Sequence, residues 1–165
     1  IRNVADGVTV SGGQGGIAVE NSFGAMSLDS TTGNIAVFEA GPSDIGDIFR
    51  AKTNGGAISL EKITHRQIEV NSISGSVSYS GSLLNGGSYS FGTSNGSIRL
   101  TLPTDTSSTV SASYGFGAFR SDLPITTITE NISEGPVMST VGRIGGGDAT
   151  LRLTTNNGSI SIRKP

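Results

Sequence analysis

The sequence predicts an all-β domain, folded as a parallel β-helix-like solenoid with about 20 residues per coil and a right-handed winding. Three observations lead to this prediction. A glycine followed by a short run of alternating apolar and polar residues recurs along the chain, as in TSNGSIRL from Thr93 and TTNNGSISI from Thr154. A second set of alternating runs lies between these phrases. Helical periodicity is missing almost everywhere, so we expect few helices.

The recurring phrases align on the first apolar residue of each run. In the first five phrases these residues are separated by 18, 23, 19 and 21 positions. A period of about twenty residues is typical of solenoids, in which equivalent strands stack in parallel about 4.8 Å apart. The aligned residues are Ile17, Ile35, Ile58, Val77, Ile98 and Ile160.

A glycine stands two positions before each aligned residue, and we expect it at a corner between two strands. Glycine adopts positive-φ conformations that cost a residue with a β-carbon roughly 1–2 kcal/mol. These structural turn glycines are Gly15, Gly33, Gly56, Gly75, Gly96 and Gly158. Asn-Gly is also a strong hairpin signal, so a β-sandwich built of hairpins is the rival fold. The steady period favours the solenoid.

The second set of runs falls about midway between the phrases. Val8 comes nine residues before Ile17, and Met26 comes nine residues after it. Each coil therefore holds at least two short strands joined by tight turns, and the chain has room for about eight coils. The runs of this second column begin at Val8, Met26, Ile68, Tyr89, Val110 and Leu151.

Residues 1–165 are predicted to form a single domain that departs from the period in two places. Residues 41–47, GPSDIGD, lengthen one coil and predict a protruding loop. Residues 124–147 break the period and predict an irregular loop excursion that packs back on the solenoid before Ala149 resumes it. Long loops are often functional, although an ordinary decorated turn is the simpler interpretation here.

Composition excludes several classes of function. The chain has no cysteine, which excludes disulfides and thiolate metal sites. Its net charge is −2 and no basic block is visible, so we expect no nucleic-acid partner. No apolar run approaches the ~20 residues that span a bilayer, so we expect no direct membrane insertion by this fragment. Serine, threonine and asparagine dominate the predicted outer faces, which suits hydrogen bonding to glycans or to another protein.

The pattern predicts no catalytic residue. A β-helix enzyme that cleaves polysaccharides needs carboxylates converging from neighbouring coils. In the predicted register Glu20 and Glu61 share a face, but the coil of Phe38 separates them. If the protein is an enzyme after all, the candidate loop residues are Asp122, Glu130 and Glu134.

The pattern also predicts no cofactor and no metal site. His65 is the only histidine, and with no cysteine to assist it we expect a solvated turn residue. Two stretches, GGQGGIAVE and GGGDATLRL, come close to the calcium-binding β-roll pattern G-G-x-G-x-D. However, Ile17 and Thr150 occupy its aspartate positions, so the calcium ligand is missing.

Four motifs follow one another in residues 53–165: TNGGAISLEKI, SNGSIRLTLP, FGAFRSDLP and VGRIGGGDATLRLTTNNGSISI. In this order they resemble the bacterial putative-adhesin family of β-strand-repeat domains, a family of unknown function. Residues 1–52 fit it only through the repeat. The resemblance implies a β-solenoid domain in an exported or envelope-attached bacterial protein, with the targeting segment outside this chain. It supplies no catalytic residue.

We therefore expect a non-catalytic cell-surface or envelope module, an adhesin or interaction domain, whose partners are glycans or other surface proteins. One alternative is a carbohydrate-active β-helix enzyme, a polysaccharide lyase or hydrolase, whose carboxylates the 124–147 loop would bring together. Another is a structural stacking element of a larger envelope protein. The chain starts and ends almost within strands, and open coil ends permit end-to-end self-association.

Overall fold

The structure, a computed structural model, describes residues 1–44, 46–132 and 138–165. Within these ranges it contains sixteen strands and no helix, which confirms the all-β prediction. The strands form two sheets, one of nine strands and one of seven, in which most neighbouring strands run parallel.

The sixteen strands of the described residues differ in length from three to nine residues. In chain order the strands are β1 (Val8–Gln14), β2 (Ile17–Phe23), β3 (Met26–Thr32), β4 (Ile35–Gly41), β5 (Ile48–Gly55), β6 (Ile58–Ile63), β7 (Gln67–Ser74), β8 (Val77–Ser80), β9 (Ser88–Asn95), β10 (Ile98–Thr101), β11 (Ser108–Phe116), β12 (Phe119–Ser121), β13 (Thr126–Ile132), β14 (Met138–Ile144), β15 (Ala149–Asn157) and β16 (Ile160–Arg163). The nine-stranded sheet has the order β1-β3-β5-β7-β9-β15-β11-β14-β13, and the seven-stranded sheet has the order β12-β16-β10-β8-β6-β4-β2.

The chain passes from one sheet to the other at almost every turn. Up to β10, odd-numbered strands lie in the nine-stranded sheet and even-numbered strands in the seven-stranded sheet. From β1 to β8, each strand pairs in parallel with the strand two places later in the chain. Hairpins would pair consecutive strands antiparallel, so this pairing argues against the β-sandwich. The described residues form seven such two-strand units, where the sequence predicted about eight.

The predicted alignment of the first apolar residues is confirmed in the seven-stranded sheet. These residues stand side by side on neighbouring strands and are buried between the two sheets. The paired residues are Ile17 with Ile35, Ile35 with Ile58, Ile58 with Val77, Val77 with Ile98, and Ile98 with Ile160. Since alternate residues of a strand point to opposite faces, one buried column implies a second, solvent-facing column beside it.

The second apolar column includes one residue that sequence analysis missed. Phe49 on β5 is fully buried and pairs with Met26 on one side and with Ile68 on the other. The extended turn at residues 41–47 shifts β5 relative to the period, which hid this residue from the alignment. Within that turn, the Asp47 Oδ2 atom accepts hydrogen bonds from the backbone N–H groups of Ser43, at 2.8 Å, and Asp44, at 2.9 Å.

The last strand pair of the chain lies inside the sheets rather than at their end. β15 inserts between β9 and β11, where Leu151 pairs with both Tyr89 and Val110. β16 inserts in the same way between β10 and β12. The chain therefore leaves a gap after β10, continues beyond it, and returns to fill it with its C-terminal residues.

In the segment 124–147 the structure describes residues 124–132 and 138–147. The segment contributes β13 and β14, which pair antiparallel with each other, and β14 pairs antiparallel with β11. Together they extend the nine-stranded sheet beyond β11. The described residues of this segment break the period of the parallel strands because β13 and β14 pair antiparallel.

Candidate functional site

The histidine prediction is wrong, because His65 lies in the core. Its side chain is fully buried, with the ring centroid 5.5 Å from that of Phe49. The Nε2 atom lies 2.8 Å from the carbonyl oxygen of Gly24, which can only accept, so Nε2 carries the proton. The Nδ1 atom has no hydrogen-bond partner. The turn after β6 carries the side chain inward between the sheets, where it serves packing and is not available to a substrate.

Burial of His65 predicts a stability that depends on pH. Desolvation lowers the pKa of this imidazole from its usual 6.5, and the hydrogen bond to Gly24 and the charge of Asp47 oppose that shift only in part. Below pH 6.5 the unfolded chain binds a proton that the folded chain does not, so stability falls as the pH falls. We expect a loss of up to about 1.4 kcal/mol per pH unit until the folded pKa is reached.

Urea unfolding at several pH values between about 7 and 5 measures this loss. His65→Gln keeps an N–H donor for Gly24 but does not titrate, so its free energy of unfolding should fall less steeply with acidity. The difference between the two profiles isolates the histidine from the carboxylates. Parallel profiles would contradict the assignment.

The candidate enzyme residues lie at separate places. Asp122 is exposed, directly after β12 at the edge of the seven-stranded sheet. Glu130 lies on β13, at the end of the nine-stranded sheet. Glu134 lies outside the described residues. Phe38 separates Glu20 from Glu61 in register, as predicted. Among the described residues, no group of three or more His, Asp or Glu side chains could hold a metal ion.

The six predicted turn glycines lie at the turns that lead from the nine-stranded to the seven-stranded sheet. Five of them have φ between 111° and 153°, and Gly96 lies outside the left-handed φ region. Most of them stack closely on the equivalent turn of the neighbouring strand pair. A β-carbon on such a glycine would overlap the carbonyl oxygen of the glycine in that neighbouring turn. This holds for Gly33, Gly56, Gly75, Gly96 and Gly158, and also for Gly117, which sequence analysis missed.

The outer face of the nine-stranded sheet carries two rows of mainly polar side chains in register. Neighbouring strands place one side chain each in a row, about 4.8 Å apart. The first row contains Ser27, Arg50, Glu69, Ser90, Arg152 and Ser111. The second row contains Asp29, Lys52, Asn71, Gly92, Thr154 and Ser113. This is the predicted wall of serine, threonine and asparagine, although it also carries charges.

A groove crosses the second row at Gly92, which has no side chain to fill its place. The groove has a volume of about 360 Å³. A β-carbon on Gly92 would lie 2.7 Å from the Asn71 Oδ1 atom, so the amide of Asn71 stands beside the opening. The lining includes Lys52, Asn71, Ser90, Thr154 and Asn156. Ile73, also in the lining, is 49% exposed and adds an apolar surface. We call this the Gly92 groove.

The comparisons with known proteins place the chain in no family. No protein-family model and no curated protein matches it, so membership of the adhesin family stays a prediction. One similar solved structure is described as a putative cell adhesion protein from Clostridium sporogenes ATCC 15579. It is 12% identical with a TM-score of 0.40, and the match covers 81% of this chain and 56% of that one. The described residues contain no helix suited to crossing a membrane.

Proposed function

We propose that this chain is a non-catalytic module of an exported or envelope-attached bacterial protein, and that it binds extended polysaccharides in the Gly92 groove. The observation that carries the proposal is the groove itself, an open polar trough on the outer face of the nine-stranded sheet. Its lining offers amide, hydroxyl and ammonium groups together with the exposed side chain of Ile73. Such a mixture suits a sugar, which presents hydroxyl groups along its edge and C–H groups on its faces.

The proposal also specifies the fold more closely than two sheets of mostly parallel strands. In it, residues 1–165 form one β-helix-like solenoid domain with a right-handed winding. The alternation of strands between the sheets and the register of Ile17, Ile35 and Ile58 support the solenoid, and the general preference for right-handed crossovers supports its winding. A stack of hydrogen-bonded strands holds the outward side chains at fixed spacing, so little ordering is needed when an extended polymer binds.

The groove should be blocked by a side chain at Gly92. Gly92 lies outside the left-handed φ region, and the nearest atom to an added β-carbon belongs to the flexible Asn71 side chain. Gly92→Gln should therefore fold and fill the opening. We expect at least about a tenfold loss of affinity, since the variant displaces ligand and leaves polar groups unpaired. Co-sedimentation with a panel of insoluble bacterial and host polysaccharides measures binding.

Gly13→Gln is the matched control. Gly13 lies on β1 of the same sheet, is exposed, and has nothing within 4 Å of an added β-carbon. Binding that falls equally in both variants, or in neither, would contradict the assignment of the groove. New reducing ends in the same tubes would instead support the polysaccharide-degrading alternative and direct attention to Asp122 and Glu130.

One observation favours the stacking alternative as a second candidate. In the described part of the chain β1 is at the end of its sheet and pairs only with β3. Its other backbone edge is free to pair with another strand. Concentration-dependent association in sedimentation velocity would support a stacking role, and a monomer at all concentrations would argue against it.

A further inference from the structure

A second groove lies on the outer face of the seven-stranded sheet, across β10, β16 and β12. It has a volume of about 430 Å³. Its lining is composed of serine and arginine side chains together with a single alanine, Ala118. The polar lining includes Arg99, Arg120, Arg163, Ser78, Ser97 and Ser161. We call this the arginine groove.

The strand order brings the three arginines together. Ser161 on the central strand β16 pairs with Arg99 on one side and with Arg120 on the other. With strands about 4.8 Å apart, the arginine-bearing strands lie roughly 10 Å apart across the serine. Arg163 is two residues beyond Ser161, so its side chain leaves the same face of the sheet. The insertion of β16 between β10 and β12 builds this cluster.

The arginines are not neutralised by the protein. All three are exposed, and neither ion pair among the described residues includes them, since those pairs are Arg2 with Glu20 and Arg50 with Glu69. Glu20 and Glu61 lie on β2 and β6, toward the opposite end of this sheet. Asp122, two residues after Arg120, lies at the same end as the groove, but in the described part of the chain it forms no ion pair with an arginine. A chain of net charge −2 therefore presents a cationic groove at one end of this face.

We infer that the arginine groove binds the anionic groups of an acidic polysaccharide, a polymer that carries carboxylate or sulfate along its length. A guanidinium donates two parallel hydrogen bonds to such a group, which a lysine cannot match. The serine hydroxyls between the arginines can donate to, or accept from, sugar hydroxyls. The inference rests on the proposed polysaccharide-binding function and assigns a second site with a distinct class of ligand.

The lining favours an acidic polysaccharide over a nucleic acid. Proteins that bind single strands combine basic grooves with aromatic side chains on which the bases stack. The described lining of the arginine groove contains no aromatic residue. Serine hydroxyl groups and arginines at regular spacing suit a polymer of hydroxyl and anionic groups.

Isothermal titration with polygalacturonate, dextran sulfate and neutral dextran tests the inference. We expect the first, the second or both to bind, and the affinity to fall as salt rises, because exposed charges are screened. Polygalacturonate supplies carboxylates and dextran sulfate supplies sulfates, so their comparison identifies the preferred group. Binding of neither anionic polymer, or equal binding of neutral dextran, would overturn the inference.

Charge-removing variants locate the site. Arg99→Gln, Arg120→Gln and Arg163→Gln should each weaken anionic binding about threefold, and the triple variant at least tenfold. Arg152→Gln is the matched control, because it removes the same charge from an exposed residue on the other sheet. Equal losses in Arg152→Gln would show attraction by overall charge and would overturn the inference. Thermal unfolding verifies that each variant is folded.

Two further outcomes separate this inference from the proposed function. Gly92→Gln should leave anionic binding unchanged, because the two grooves lie on different sheets. If Gly92→Gln abolished anionic binding and the arginine variants did not, the proposed function would stand and the second site would be refuted. Tighter binding of a single-stranded oligonucleotide than of either anionic polysaccharide would also refute it.

Discussion

A chain that ends at Gly147 is expected not to fold into the native two-sheet structure. The truncation removes β15 and β16, which lie inside the two sheets and pair on both sides. Without them β9 and β10 each lose one of their two parallel partners, and β11 and β12 lose their only parallel partner. The loss therefore divides each sheet into two parts.

Burial gives the magnitude of this effect. The removed strands contribute four large side chains that are at most 1% exposed, namely Leu151, Leu153, Ile160 and Ile162. At roughly 1.5–3 kcal/mol each, their burial is worth on the order of 6–12 kcal/mol. Domains of this kind are stable by only about 5–15 kcal/mol in total, so the truncated chain should be largely unfolded.

Circular dichroism and urea unfolding of the truncated chain measure the outcome. The control is removal of residues 1–23, a longer piece that takes β1 and β2 from one end of the sheets and keeps Gly24, the hydrogen-bond partner of His65. Stacked strand pairs contact only their neighbours, so the loss of an end pair should leave a cooperative unfolding transition at lower stability. Native-like unfolding of the chain ending at Gly147 would contradict the internal position of β15 and β16.

Gly75→Ala is expected to destabilise the domain by about 3 kcal/mol or more. A β-carbon at this position would overlap the carbonyl oxygen of Gly56 in the neighbouring layer. The atoms nearest to the added β-carbon are backbone atoms of Gly56 and Ala57, so no side-chain rotation relieves the overlap. The residue also has φ of 153°, a conformation in which a β-carbon adds strain.

Gly13→Ala is the control for this prediction, and urea unfolding measures both variants. Gly13 has nothing within 4 Å of an added β-carbon and is not among the positive-φ residues. Its replacement should change stability by less than about 1 kcal/mol. Similar effects at the two positions would show that close stacking at Gly75 is not what requires glycine there.

Much of the fold could be predicted because its signals are local. The alternation of Ile98, Leu100 and their equivalents predicted the strands, and the recurring glycines predicted the turns. Their shared period predicted the register that places Ile17 beside Ile35. Phe49 escaped the alignment because the 41–47 turn interrupts the period, and Gly117 escaped because no phrase of the common form follows it.

The candidate sites were less accessible to prediction. The wall of serine, threonine and asparagine follows from alternation alone, but the Gly92 groove requires knowing that Asn71 and Thr154 flank Gly92. The sequence predicts that His65 is a turn residue, and its burial depends on the direction in which the turn after β6 folds. The arginine groove could not be predicted from the sequence because Arg99, Arg120 and Arg163 lie far apart in the chain.

The amino-acid sequence by itself determined the all-β class, the strand faces and the positions of the turns, because these follow from alternation and glycine stereochemistry within a few residues. Only the tertiary structure decided that β15 and β16 lie inside the sheets, beside β11 and β12. Parallel strands pair through backbone groups that are the same in every residue, so where the period is interrupted the sequence carries little sign of which strands pair. The insertion of β15 and β16, and the cationic groove that it builds, are consequences of that long-range choice.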